Sequence, residues 1–190
     1  MVGERRFREY VESLQEQTRL EAERDPLTHL LNRRAGERAL ENGLQKAITE
    51  DLQFAVMLID LDRFKPINDT YGHEAGDLVL VEISRRIEKS LRKSDTVIRW
   101  GGDEFLILAI QGHDNLNIDT ISTKLLHALS EPIKITDTIT DSIGASIGIA
   151  VYPDHSADAE TLIDLADKAM YHIKHSGRNG YFVHGADSLD

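Results

Sequence analysis

A chain of 190 residues is long enough for one domain with a full core and a short appendage. Its 33 acidic against 22 basic side chains leave a net charge of −11, which argues against a nucleic-acid-binding surface, since phosphate backbones call for clustered Lys and Arg. The lack of cysteine excludes disulfides and zinc–thiolate sites and fits a reducing, cytoplasmic setting. No apolar run approaches the ~20 residues of a membrane span and no signal peptide is visible, so no membrane contact is expected of this segment.

Residues 1–24 are charged and helix-favouring, with Phe7, Val11, Leu14 and Thr18 at heptad spacing. They read as a helical linker, either solvated or the end of a signalling coiled coil, whose seam is too short to hold a tight dimer. Asp25-Pro26-Leu27-Thr28 is a break that predicts a helix start, with Asp25 as the cap and Pro26 in the first helical position. The domain is placed at 25–184, with a tail at 185–190. Leu30, Leu31, Ala35, Leu40, Leu44 and Ile48 mark an amphipathic helix to about Glu50. Phe54 to Ile59 is a continuous apolar run that predicts a buried central strand, with Asp60 and Asp62 at its carboxyl end. Arg63 to Asp77, with Pro66, Gly72 and Gly76, reads as a short helix and turn, and 78–92 as a helix with one buried face.

Thr96-Val97-Ile98 and Leu106 to Ile110 flank Arg99-Trp100-Gly101-Gly102-Asp103-Glu104-Phe105. Two β-branched runs joined across Gly-Gly predict a hairpin whose turn uses the positive φ open to glycine. That turn lifts Asp103 and Glu104 to its tip. Acidic residues are poor strand formers, so a metal ion or a phosphate is the better reason for them there. A helix over about 118–129 follows. Ile133–Ile135 and Ser142–Val151 read as a second strand pair, the latter alternating at Ile143, Ala145, Ile147, Ile149 and Val151. A last helix over about 157–175, stopped by Gly177, leads to a closing strand at Tyr181–Val183. The fold class is α/β, an α+β sandwich with helices on a mainly antiparallel sheet.

A strand ending in Asp60 and a hairpin tip bearing Asp103 meet if their strands are neighbours. Hard oxygen ligands plus substrate phosphates are what Mg²⁺ requires, and paired carboxylates suit two-metal phosphoryl transfer. Gly101 and Gly102, lacking Cβ, leave room for a polyphosphate.

Gly101-Gly102-Asp103-Glu104-Phe105 spells the motif of the GGDEF family, the diguanylate cyclases, and the likeness extends over about 25–184. Asp25-Pro26-Leu27-Thr28 with Leu31-Asn32-Arg33-Arg34 resembles the family's opening motif, with His29 where glycine is usual. Asp60 to Lys65, Ile67-Asn68-Asp69, Tyr71-Gly72-His73 and Gly76-Asp77 resemble its core block. Ser146 to Ala150, Ala166 to Tyr171 and Ser176 to Asn179 continue the likeness.

The resemblance implies a palm-like nucleotidyl cyclase that condenses two GTP into cyclic di-GMP and two pyrophosphates across a homodimer, the 3′-hydroxyl of one attacking the α-phosphate of the other. By position, Asp60, the Leu61 carbonyl and Asp103 would bind Mg²⁺ (Mn²⁺ being the alternative), two ions per half-site. Glu104 would help hold the second ion or take the proton from the 3′-hydroxyl. Lys65 would lie near the transferring phosphate, and Lys174 and Arg178 on the terminal phosphates; read alone, these two are favourable charges at a helix C-terminus. Asn68 and Asp77 would read guanine, whose N1–H and N2–H₂ suit a carboxylate acceptor. His73 is a turn residue lining the site rather than a general base. Arg92-Lys93-Ser94-Asp95 matches the family's RxxD product-inhibition site, while as a bare pattern Arg92 and Asp95 are a helix-end ion pair. An upstream sensor domain, membrane-bound or not, is implied in the full-length protein. Two rival readings are a catalytically inactive GGDEF module that signals by contact and a different metal-dependent nucleotidyl transferase on a similar sheet.

Overall fold

The computed structural model describes residues 2–111 and 117–186, so the tail expected at 185–190 lies outside the described residues from 187 onward. In chain order the elements are α1 (Val2–Glu23), α2 (Arg33–Glu50), β1 (Gln53–Asp62), α3 (Phe64–Tyr71), α4 (His73–Ser90), β2 (Thr96–Arg99), β3 (Glu104–Gln111), α5 (Ile118–Ser130), β4 (Ile133–Lys134), β5 (Thr140–Asp141), β6 (Gly144–Tyr152), α6 (Ala159–His175) and β7 (Gly180–Val183).

Five strands form one sheet in the order β2-β3-β1-β6-β7, antiparallel throughout except for the β6–β7 pair. The period-2 alternation of β1 feeds two cores. Ala55, Met57, Ile59 and Leu61 pack with Val79 and Ile83 of α4 and with Leu125 and Leu129 of α5. Phe54, Val56 and Leu58 pack on the opposite face with Leu40 and Leu44 of α2 and Leu162 and Met170 of α6. Helices on both faces explain why the apolar run of β1 is continuous rather than alternating.

Several expectations are corrected by this arrangement. The helix does not begin at Pro26: residues 26–28 form a turn, and α2 starts at Arg33, capped by the Asn32 side chain, which accepts from the Ala35 N–H. Asp25 caps the turn instead, accepting from the N–H groups of Leu27 and Thr28 and from the Thr28 hydroxyl. α4 begins at His73 rather than at 78, so His73 and Asp77 are helical. The strand over 133–135 does not pair with 142–151: β4 pairs with β5, and β6 lies against β1. Buried on both faces, β6 has its Gly148 so close to α6 that a Cβ there would fall on the Ala166 carbonyl and the Met170 N–H. Neither Gly101 nor Gly102 adopts a positive φ, so left-handed backbone is not what the hairpin draws from them. His29 does stand there, at φ 61°, which accounts for the glycine usual at that position in the pattern it resembles.

The α1 helix leaves Phe7, Tyr10, Leu14 and Leu20 exposed. Its end is tied to the domain. Asn32 donates from its side chain to the Ala22 carbonyl and from its backbone to Glu23, and Arg38 pairs with Glu23 at 2.7 Å.

Gly148→Ala tests the sheet–helix contact directly. Backbone cannot yield as a flexible side chain does, so the substitution should lower unfolding free energy by about 3 kcal/mol, read as a fall in the urea midpoint at unchanged m-value. A loss under about 1 kcal/mol would show that α6 is free to move off β6.

Candidate active site

Cross-strand register brings the acidic residues together. Asp60 of β1 sits opposite Glu104, the first residue of β3, and the Leu61 N–H donates to the Asp103 carbonyl at 3.1 Å. Glu104 is therefore not at the turn's tip but paired in the sheet. Its carbonyl closes the loop by accepting from the N–H groups of both Trp100 and Gly101 at 2.9 and 3.2 Å. A Cβ on Gly101 would approach the Glu104 carboxylate at 2.7 Å, whereas one on Gly102 would meet open space.

On the face of the sheet that α6 covers, Lys174 in the last turn of that helix reaches Asp60, Nζ to Oδ2 at 2.7 Å, with the side chains 30% and 14% exposed. Burial raises the Asp60 carboxyl pKa, and Lys174 only partly offsets the push of burial, Asp103 and Asp62. Burial also pushes Glu104 up, and the Asp60, Asp103 and Asp167 carboxylates push it further against the pull of Lys174. Mutual repulsion of this kind is what a divalent cation relieves. Among the described residues, no three carboxylate or imidazole side chains converge on one point as a metal cage.

Asp62 lies on the same strand face two residues on and has a different role. It is buried, accepts from the Ser146 hydroxyl at 2.7 Å and from the Asn179 N–H at 2.8 Å, and so fixes the turn after α6. The hairpin is held by Arg99, which neither motif spacing nor charge singled out. Its guanidinium pairs with both oxygens of Asp25 at 3.1 and 3.0 Å and donates to the Gly102 carbonyl at 2.9 Å. Burial pushes the Asp25 carboxyl up, but the Thr28 N–H and hydroxyl and the Arg99 guanidinium together hold it below its ordinary value.

Asn68 of α3 lies beneath α4, where a Cβ on Gly76 would collide with its side-chain oxygen. Asp77 and Leu27 open onto a groove of about 620 Å³ that runs past Leu78 and Val81 to Ile133 and Lys134, and none of Asp60, Asp103 and Glu104 lines it. Lys65, His73 and Arg178 are exposed, and their side chains make no hydrogen bond or ion pair with another described residue. Asp60, Asp103, Glu104 and Lys174 are thus brought together, while those three are not drawn in.

Arg92 and Asp95 line a separate cavity of about 380 Å³ with Arg24, Leu31, Glu88 and Val97. They do not form the ion pair that the bare pattern allows. The Asp95 carboxylate accepts from the Arg92 backbone N–H at 2.9 Å, leaving the guanidinium without a partner among the described residues. Arg24 and Glu88 could not be assigned to this place from spacing.

A two-layer clothing of helices on a mostly antiparallel sheet, with carboxylates at the adjoining ends of β1 and β3, defines an α/β domain with an acidic site at its central strand. The profile described as "Diguanylate cyclase, GGDEF domain" matches residues 22–180, and the chain belongs to that family. It is 45% identical over 157 residues to the bifunctional diguanylate cyclase/cyclic di-GMP phosphodiesterase MucR of Pseudomonas aeruginosa, covering 83% of this chain and 23% of that protein. It is 42% identical over 158 residues to the diguanylate cyclase TpbB of the same species, covering 83% of this chain and 36% of that one. The chain therefore spans only a quarter to about a third of these relatives. The solved GGDEF domain of TpbB superposes with a TM-score of 0.78 at 41% identity, over 85% of this chain and 94% of that one. The coiled coil and GGDEF domain of DgcB from Caulobacter crescentus, in complex with c-di-GMP, gives 0.84 at 26% identity over 96% of both.

The raised Glu104 pKa carries a sign. Its protonated form is favoured in the fold, so its contribution to stability falls as pH rises through the ordinary carboxylate range towards the folded value. Glu104→Gln should therefore match the parent near pH 3 and exceed it at pH 8, by a few tenths to about 1 kcal/mol given solvent screening of a half-buried group. Urea titrations at the two pH values check this, and an equal gain at both would remove charge repulsion as its cause.

Proposed function

We propose that this domain is a diguanylate cyclase, joining two GTP into cyclic di-GMP across a homodimer. The observation that carries the proposal is the meeting of Asp60, Asp103 and Glu104 at the adjoining ends of β1 and β3 within a chain of this family. In this reading residues 25–184 are the catalytic domain and residues 1–24 the linker from an upstream sensor. The setting is cytoplasmic; among the described residues no helix is long and apolar enough to cross a membrane.

Asp60, the Leu61 carbonyl, Asp103 and Glu104 would hold Mg²⁺, whose donor chemistry these hard oxygens fit. The bound ion would neutralise the triphosphate and lower the pKa of the attacking hydroxyl. The chain's own residues do the rest. Phosphoryl transfer needs positioning more than covalent chemistry. Asp77 on the α4 groove and Asn68 beneath that helix hold guanine, the carboxylate accepting from N1–H and N2–H₂, a pattern adenine lacks. Gly101 and Gly102 keep the hairpin clear of the phosphates, which Lys174 and Arg178 contact at their far end. Lys65 serves the transferring phosphate, and Glu104, with its raised pKa, is placed to accept the 3′-hydroxyl proton. Arg92, its guanidinium without a partner among the described residues, forks onto product in the second cavity, and Asp95 accepts from the product's guanine edge. Product held there keeps two half-sites apart, so inhibition is non-competitive with GTP.

Incubation with GTP and Mg²⁺ should yield cyclic di-GMP by mass. Asp103→Ala should lower turnover by about 100-fold or more, while the unfolding transition stays within about 1 kcal/mol of the parent because its backbone carbonyl still receives the Leu61 N–H. Substantial turnover by the variant at saturating Mg²⁺ would sink the assignment. If the parent binds GTP without making product, the domain is the non-catalytic module instead.

Feedback has its own measurement. Progress curves of the parent should flatten long before GTP is exhausted, and those of Arg92→Ala should continue, with stability changed by only a few tenths of a kcal/mol. Identical curves and identical product affinity in titration would reduce Arg92 to a surface charge.

A further inference from the structure

Lys174 is matched by position to a phosphate contact, yet here it holds a carboxylate matched to the metal. The Nζ–Oδ2 separation of 2.7 Å, with the Asp60 side chain 14% exposed, makes this a contact largely withdrawn from water. A lysine ammonium cannot serve the far end of a triphosphate and occupy Asp60 at once. Nor can a divalent cation settle on Asp60 beside a resident ammonium without repulsion.

We infer that Lys174 is the resident counter-ion of the acidic site and changes partner on loading, leaving Asp60 for the nucleotide's phosphates as the metal takes its place. The inference rests on the reading of Asp60 as a metal ligand.

The anchoring of the two partners decides which one moves. Asp60 is fixed in the central strand, paired through its residue to Glu104 on one side and to Ser146 on the other. The turn beyond Lys174 is fixed as well. The Arg178 N–H donates to the Ile173 carbonyl at 3.0 Å, and Asp62 holds the Asn179 N–H at 2.8 Å. The free element is the four-carbon lysine stem, which carries a compact charge through several rotatable bonds. Remaining carboxylates give the exchange its direction. Asp103 presses on both Asp60 and Glu104, and Asp167 on Glu104, so a single ammonium under-neutralises the site, and a divalent ion with a lysine-bound triphosphate does so more fully. Metal and triphosphate then bind with positive coupling beyond their affinity for each other, and the coupling is reciprocal. Without nucleotide the site binds a cation only weakly, against the resident ammonium.

The test is a Mn²⁺ titration of the full chain without nucleotide, following loss of the free-ion electron paramagnetic resonance signal. Lys174→Met and Lys174→Gln should each bind Mn²⁺ about tenfold more tightly than the parent, a difference of about 1.4 kcal/mol. Lys174→Arg keeps a cation on Asp60 and should stay close to the parent. Asp60→Asn should lose the site. Two neutral replacements guard against one that fails to fold, and circular dichroism checks each. Unchanged or weaker Mn²⁺ binding by both neutral variants, with binding still lost in Asp60→Asn, overturns the exchange and leaves the metal site standing. Binding by Asp60→Asn equal to the parent overturns both, since Asp60 would then be no ligand.

Discussion

Everything at the acidic site follows from where β1 lies. A strand paired on both edges and covered by helices on both faces has no solvent side, so any charge in its last residues must be met by protein. Asp62 is met fully, by the Ser146 hydroxyl and the Asn179 N–H, and becomes a structural tether. Among the described residues Asp60 is met by the long Lys174 side chain alone. Two carboxylates of one type, two residues apart on one face, thus diverge in role because one has rigid partners and the other has not.

The second constraint lies at the turn of the hairpin itself. Arg99 spans from Asp25, 74 residues earlier, to the Gly102 carbonyl, and its own N–H donates to the Leu31 carbonyl. Both side chains of the pair are below a fifth exposed, and Asp25 takes three further hydrogen bonds from its turn. Such a pair is satisfied rather than merely charged, which is the condition under which burial of ions holds geometry. It couples the end of the linker helix to the loop that carries Asp103. Asn32 extends the same path, capping α2 while donating to the last turn of α1.

The cavity around Arg92 shows how local chemistry redirects a motif. An Arg and an Asp three residues apart at a helix end can neutralise each other. Here the Asp carboxylate is spent on the Arg backbone N–H, closing the chain as it leaves α4, and the guanidinium is left facing the cavity. One backbone hydrogen bond makes the difference between a surface ion pair and a guanidinium without a partner among the described residues.

Local pattern by itself determined the apolar run of β1 and its terminal carboxylates, the hairpin, the amphipathic faces of α2, α4, α5 and α6, and the motif that names the family. These depend on residues within a few positions of each other, which periodicity reports. Tertiary structure alone decided that residues 144–152 pair with β1 and not with 133–135, because two-residue β4 offers too little ladder while β1 offers nine paired positions. It decided that Asp25 answers Arg99 and not a helix start, and that α4 takes in His73 and Asp77. It set Gly101 and Gly102 at ordinary φ and left His29 with the left-handed turn. It put Lys174 on Asp60, 114 positions away, by sliding α6 against Gly148 until its last turn reached the end of β1. A side chain's type is legible from the chain, but its partner is set by packing between elements distant in sequence, and at this site the partner is what gives each carboxylate its chemistry.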